Sequence, residues 1–322
     1  MGKKKGRDIS GIIVIDKPLG LSSNQVLQRV KRLFNARKAG HTGALDPQAS
    51  GVLPICLGEA TKFSQLLLDS DKAYDTTAQL GEVRSTGDSE GEVFPTAQVP
   101  ELDDAAVEAV LSRFRGDVEQ VPPMFSALKM DGKPLYELAR QGMSEAEMRA
   151  VAEKKRRTIT IFELTLNQRR ETQLDLSVRC SKGTYIRTLV EDIGESIGCG
   201  AYVSRLHRTA CGPYHSGQMV TLEALEQLAI EAGEGDDADF SALDNLLLPP
   251  HSAIPDWPEV PLTLAEAAKM LQGQPINTGL ADATSVQLWA VESGIRQMIG
   301  IGSVEGGVIK ARRLMQVSLP EV

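Results

Sequence analysis

Two short stretches of the 322-residue chain hold residue types that could do chemistry. In Gly40-His41-Thr42-Gly43-Ala44-Leu45-Asp46-Pro47, two glycines open backbone conformations closed to other residues. Pro47 biases Asp46 towards an extended conformation and so fixes where its carboxylate points. A loop that presents one carboxylate and one imidazole suits nucleophilic or acid–base work. The plainer reading is an Asp-Pro turn with His41 as a capping group. The second stretch, Ser181-Lys182-Gly183-Thr184-Tyr185-Ile186-Arg187, lies at an expected strand-to-helix junction. Helix N-termini collect anions through free N–H groups and the macrodipole, and Tyr185 and Arg187 fall within the first turn. An arginine beside a carboxylate in a poorly solvated site holds it ionised. The plainer reading here is a capped helix with surface cations.

Two other patterns fail as chemistry. Cys199, His207, Cys211 and His215 lack the closely paired cysteines of a zinc knuckle, and Gly212-Pro213 interrupts the helix that would align the last three, so no metal is expected. Gly300-Ile301-Gly302-Ser303-Val304-Glu305-Gly306 places a glycine one position late for a dinucleotide loop, and hairpin turns explain it better. No cofactor is expected.

The elements that must position these residues read as follows. A short buried strand over 11–15 ends in the turn Asp16-Lys17-Pro18-Leu19-Gly20. Ser22 and Gln25 form a capping box for a helix whose Val26, Leu27, Val30, Leu33 and Phe34 share a face. Residues 37–51 have the composition of an ordered loop. Strands are expected over 73–80, 158–166 and 174–180, and helices over 102–114, 135–140 and 184–197, the last stopped by Gly198 and Gly200. A polar stretch follows the 135–140 helix and ends in Lys154-Lys155-Arg156-Arg157. The acidic stretch carrying Pro249, Pro250, Pro255 and Pro258 reads as a linker, and short strands with glycine-rich turns beyond about 260 suggest a small β-rich domain.

Hydrophobic residues make up 42% and charged residues 24%, ordinary for a globular chain. The longest aliphatic runs fall far short of the ~20 residues of a membrane helix. The basic Met1–Arg7 segment lacks the apolar region of a secretory signal. Four cysteines in a long chain make no disulfide framework, which points to reduced thiols in a cytoplasm. The net charge of −8 argues against a polyanionic partner until its distribution is read. Residues 1–65 carry +7, whereas 221–260 hold ten acids and no Lys or Arg. Local fields steer a polyanion, so the basic N-terminal block suits nucleic acid, although a solvated helix face plus a tail would look the same.

With both stretches in hand, the chain resembles the TruB family, the bacterial tRNA pseudouridine-55 synthases. The resemblance is carried by the Asp16-Lys17-Pro18 motif, GHTGALDPQASG over 40–51, LGEATKF over 57–63, Lys72-Ala73-Tyr74, PPMFSALK over 122–129 with Tyr136 and Ala139-Arg140-Gln141-Gly142, and CSKGTYIRT over 180–188. These elements stand in the family's order across most of residues 8–215. The resemblance implies a mixed α/β fold: a central, mostly antiparallel sheet with flanking helices, plus a small C-terminal β-rich, PUA-like domain. It places the catalytic domain at 1–250, with a thumb-like RNA-gripping loop at about 123–157, and the RNA-binding domain at 251–322. The 143–157 stretch is long and Glu-rich for that loop.

By the same resemblance, Asp46 matches the family's catalytic aspartate and Arg187 the arginine paired with it. Tyr185 matches the tyrosine proposed to complete the proton transfer, and Tyr74 the tyrosine that stacks on the flipped uracil. Leu206 matches a pocket residue, His41 the histidine that helps expel the base, and Lys17 with Pro18 a motif under the active-site floor. The implied reaction is isomerisation of uridine 55 in the tRNA T-loop. It breaks N1–C1′ and forms C5–C1′ without redox change, and Asp46 attacking C1′, attacking C6 or driving a glycal route all remain open. The implied partner is the tRNA T-loop and T-stem, with no guide RNA, no membrane and no obligate protein partner. A guide-RNA-dependent relative and an RNA-folding chaperone are the competing readings. The chain lacks the long basic extensions associated with the first, and retention of Asp46, Tyr185 and Arg187 favours catalysis over the second.

Overall fold

A computed structural model describes residues 6–319 apart from 126–128, 131–132, 135–141, 234, 236 and 293. The expected helix over 135–140 and Tyr136 lie outside the described residues. A ten-stranded sheet organises the first 221 residues. Its strands are β1 (Gly11–Lys17), β2 (Ala39–His41), β3 (Ala49–Leu57), β4 (Lys72–Leu80), β5 (Gly116–Gln120), β6 (Arg157–Arg170), β7 (Gln173–Cys180), β8 (Ala201–Cys211), β9 (Tyr214–His215) and β10 (Val220–Thr221). The order is β10-β1-β3-β8-β4-β7-β6-β5, with β2 beside β3 and β9 beside β8. Only the β1–β10 and β3–β8 pairs are parallel, so the sheet is mixed and mostly antiparallel, as expected.

Alternation along β1 and β3 sends side chains to two faces. On one face Ile13, Ile15, Leu53 and Ile55 pack against Val26, Val30 and Phe34 of and beside α1 (Ser23–Leu33). The Ser22–Gln25 capping box is present. At the other end of the sheet, α2 (Asp104–Leu111) and α4 (Ile186–Ile197) bury Val107, Leu111, Leu189 and Ile193 against β4, β6, β7 and β8. Ser144 and Glu147 form a second capping box and start α3 (Glu145–Glu153), where a polar stretch was expected.

The acidic stretch is not a linker. It forms α5 (Leu222–Ala232), and Leu222, Leu225 and Leu243 enter the core beside α1. Its carboxylates meet the basic N-terminal block: Asp244 pairs with Arg7 and Glu226 with Arg29. Burial of the leucines holds the segment down, and opposite charge places it. Residues 201–211 are strand rather than the helix assumed for His207 and Cys211. His207 instead hydrogen-bonds Ser50, and His215 caps the turn that follows it.

A second, five-stranded sheet holds β11 (Glu259–Leu262), β12 (Ile276–Asn277), β13 (Ala283–Glu292), β14 (Ile295–Glu305) and β15 (Val308–Leu314), in the order β11-β13-β14-β15-β12. It buries one set of side chains against α6 (Leu264–Leu271). It also shares a core with the first sheet: Trp289, Met298, Ile301 and Met315 pack with Ile12, Val14, Val52 and Cys56 on the face of β1 and β3 away from α1.

Candidate active site

The 40–47 stretch leaves β2 and returns into β3, and its backbone is pinned on both sides of Asp46. On one side, Ser23 accepts the Leu45 N–H at 2.7 Å and donates to the Leu45 carbonyl at 3.1 Å. On the other, the Gly20 N–H donates to the Pro47 carbonyl at 2.8 Å. Lys17 reaches beneath, donating to the carbonyls of Ala49 at 2.6 Å, Pro18 at 2.9 Å and Pro47 at 3.5 Å. Gly43 has φ of +110°, a left-handed conformation that other residues rarely adopt. Gly51, also at positive φ, would place a Cβ 2.3 Å from the Arg208 carbonyl oxygen, so only glycine lets β3 approach β8 there.

Arg208 is fully buried and works from below. It donates to the Val52 carbonyl at 2.7 Å and to the Gly43 carbonyl at 3.4 Å. Lys72, also buried, donates to the carbonyls of Leu67, Leu68 and Ser70. Two buried cations, Lys17 and Arg208, thus rest on main-chain carbonyls around the Asp46 loop, and a third, Lys72, on those of residues 67–70. Burial lowers the Lys17 pKa to about 8, against the attraction of Asp46. Burial, with Arg208 adding to it, also lowers that of His41, which keeps this imidazole neutral at pH 7. Among the described residues the buried His41 Nδ1 has no hydrogen-bond partner.

The Asp46 carboxylate opens into a small recess with its side chain 47% exposed, and Arg187 grips one oxygen at 3.0 Å. Arg187 is only 6% exposed. It spends its other donors on the carbonyls of Thr86 at 2.7 Å and Phe125 at 2.9 Å, and lies 3.7 Å from the Asp88 carboxylate. Loss of hydration raises the Asp46 pKa, Arg187 pulls it down, and Asp88 and Glu90 push it up. Glu191, one turn along α4, is pushed up to about 7 by burial against the pull of Arg187. For Asp46 the result is a carboxylate whose pKa lies above the ordinary value, with Arg187 the larger and Lys17 the smaller pull towards the ionised form.

Leu206 lines the same recess, paired across β3 with Ala49. Tyr74 stands opposite Arg208 in the β4–β8 ladder and is nearly buried in a cluster with Leu45 and Leu206. Burial raises its phenol to about 12, so it stays neutral. Tyr185 is the N-cap of α4, two residues before Arg187. The structure therefore brings Asp46, Arg187 and Leu206 to one recess, sets Tyr185 at the start of the helix that carries Arg187, and puts Lys17 below the loop. Tyr185, Tyr74 and His41 are not among the residues that line the recess.

Comparison with known proteins adds a family. A model described as the TruB family pseudouridylate synthase N-terminal domain matches residues 31–186. The tRNA pseudouridylate synthase B C-terminal domain matches 187–254, and the pseudouridine synthase II TruB C-terminal domain matches 258–315. The chain is 52% identical over 315 residues to tRNA pseudouridine synthase B of Pseudomonas putida, covering 98% of both chains. The chain belongs to the TruB family. The TruB relative from Marinomonas sp. is 47% identical over 318 residues, covering 99% of both chains. That from Yersinia pestis is 48% identical over 318 residues, with 98% of this chain and 95% of that one covered. In three dimensions the fold matches a chain of a Cbf5–Nop10–Gar1 complex, with a TM-score of 0.69 at 23% identity over 94% of this chain and 84% of that chain. No described helix of this TruB chain is long and apolar enough to cross a membrane.

Three residues that hold the Asp46 loop or its partner arginine were not legible as such: Ser23, Asp88 and Arg208. Ser23 follows the capping serine directly, and a second hydroxyl there was the available signal. Asp88 sits in a turn, where Thr86 Oγ donates to it at 2.6 Å and the Glu90 N–H at 3.1 Å. Arg208 acts on residues far along the chain, and nothing local marks it.

Proposed function

We propose that this TruB-family chain isomerises uridine 55 in the T-loop of tRNA to pseudouridine, without cofactor or guide RNA, in the cytoplasm. The observation that carries the reading is the Asp46 carboxylate, half open to the recess and held from behind by a buried arginine. The target base is stacked in a folded loop, so it must be flipped out, at a cost of a few kcal/mol. Tyr74 and Leu206 offer the flipped base an aromatic and an aliphatic surface, and stacking of that kind offsets unstacking. His41, with its imidazole neutral, suits contact with uncharged RNA groups beside the vacated position.

In the reaction, Asp46 supplies the nucleophile that labilises the N1–C1′ bond. Once C5 has joined C1′, the proton on C5 must leave and N1 must gain one. Tyr185 is the residue assigned to that transfer. Arg187 keeps Asp46 ionised and aimed, and Lys17 fixes the floor of the loop. Residues 1–250 act as the catalytic unit, with about 123–157 gripping the RNA, and 251–322 as a PUA-like RNA-binding unit. No obligate protein partner is required by this scheme.

The test is incubation of the purified protein with an unmodified tRNA transcript, with no guide or cofactor added, followed by mapping of pseudouridine. Conversion at position 55 is expected. A transcript left unconverted there would remove the proposal.

A further inference from the structure

β5 ends at Gln120 and β6 begins at Arg157, and these two residues stand opposite each other in the ladder. Between them the chain leaves the sheet for the segment assigned above to RNA. Both roots of that excursion hold the same residue. Gln120 is 2% exposed. Its amide oxygen accepts the Tyr185 N–H at 2.8 Å, and its amide nitrogen donates to the Tyr185 carbonyl at 3.0 Å. The Arg157 guanidinium lies 5.3 Å from the centre of the Tyr185 ring and donates to the Gly183 carbonyl. Tyr185 needs such support. It follows a turn whose Gly183 has φ of +80°, and as the N-cap residue its own side chain makes no capping hydrogen bond.

A carboxamide that closes a two-bond ring with one residue's backbone fixes both the position and the tilt of that residue. Arginine over the ring restricts the remaining rotation of the side chain. We infer that Gln120, aided by Arg157, is a positioning residue for Tyr185 and sets the angle at which the phenol meets the base. The inference rests on the role given to Tyr185 above. It also means that the two roots of the 121–156 segment are tied to the catalytic helix start rather than only to the sheet.

The test uses single-turnover rates on a tRNA transcript, with tRNA affinity and thermal midpoint measured alongside. Gln120→Met removes both hydrogen bonds at similar volume. It should slow the chemical step by about 10²-fold, the scale of a small misplacement, while affinity stays within about twofold. Combined with Tyr185→Phe, it should add little to the slowing caused by Tyr185→Phe alone, because both changes act through one phenol. Gln120→Glu is the second probe. It can still accept the Tyr185 N–H, but donates to the Tyr185 carbonyl only when protonated. Its rate relative to the wild type should therefore rise as pH falls from about 8 to 6, with burial raising the pKa of the new carboxyl. A wild-type rate for Gln120→Met, a multiplicative loss in the double variant, or a pH-independent ratio for Gln120→Glu would each overturn the inference. A normal rate for Tyr185→Phe would instead remove the role of Tyr185, and the inference with it.

Discussion

Asp46 is subject to two opposed influences whose balance sets its usefulness. Lost hydration raises its pKa and the Arg187 guanidinium, 3.0 Å away, lowers it. Asp46→Asn removes the charge while keeping the shape. It should slow single-turnover isomerisation by more than about 10⁴-fold, roughly 5.5 kcal/mol of barrier, with tRNA affinity nearly unchanged. Residual activity above about one per cent of wild type would contradict the role. Arg187→Lys keeps the charge but loses the planar fork that also serves the Thr86 and Phe125 carbonyls. The weaker pair lets the Asp46 pKa rise, so the ionised form appears only at higher pH. The acidic limb of the pH–rate profile, measured from about pH 5 to 8, should move upward and the maximum should fall. An unmoved limb would return Arg187 to an ordinary capped-helix cation.

At the scale of elements, the 40–47 loop is held less by its own sequence than by what its neighbours lend it. Ser23→Ala would orphan the buried Leu45 N–H, at a cost of about 1–3 kcal/mol. The expected result is a lower thermal midpoint together with a slower chemical step, the second because Asp46 is adjacent to the released backbone. An unchanged rate would show that Lys17 and Gly20 hold the loop alone. This lending also explains what could be read from the sequence. α1 and its capping box were legible because every interaction that defines them lies within four residues. The 40–47 loop and the Tyr185–Arg187 helix start were legible because glycine, proline and aspartate make local demands. β3 and β8 were not. Pro54 sits inside β3, and β8 carries Arg205, His207 and Arg208 among few branched residues. Both are strands because β1 and β4 supply their hydrogen bonds. Asp88 escaped for a related reason: its partner Arg187 is 99 positions away and reaches it only through the fold.

Taken whole, the molecule is one packed body rather than two units on a tether. Trp289 and Met298 of the second sheet complete a core begun by Ile12 and Val52 of the first. Lys62 donates to the Leu314 carbonyl at 2.6 Å, and Glu59 accepts the Gln316 N–H at 2.5 Å across the same junction. Trp289→Ala should cost about 3–5 kcal/mol and lower a single calorimetric transition. Two separated transitions in the wild type would contradict the shared core. Any ligand that spans both parts therefore meets them at a fixed spacing.

The buried lysine below the Asp46 loop carries one more consequence. Carbonyl oxygens do not titrate, so the grip of Lys17 on Pro18, Pro47 and Ala49 has nothing to lose in acid. Its vulnerability lies in alkali, where Lys17 itself gives up a proton near pH 8 instead of at its ordinary 10.5. From there to about 10.5 the unfolded chain binds the proton more readily than the folded one, so this group's contribution to stability grows as pH rises. The same deprotonation strips the loop beneath Asp46 of its positive anchor. Alkaline titration should therefore firm the fold at this position while slackening the chemistry. Tm and single-turnover rate, followed together above pH 8 in wild type and in Lys17→Met, would register these opposite slopes in the wild type and their disappearance in the variant.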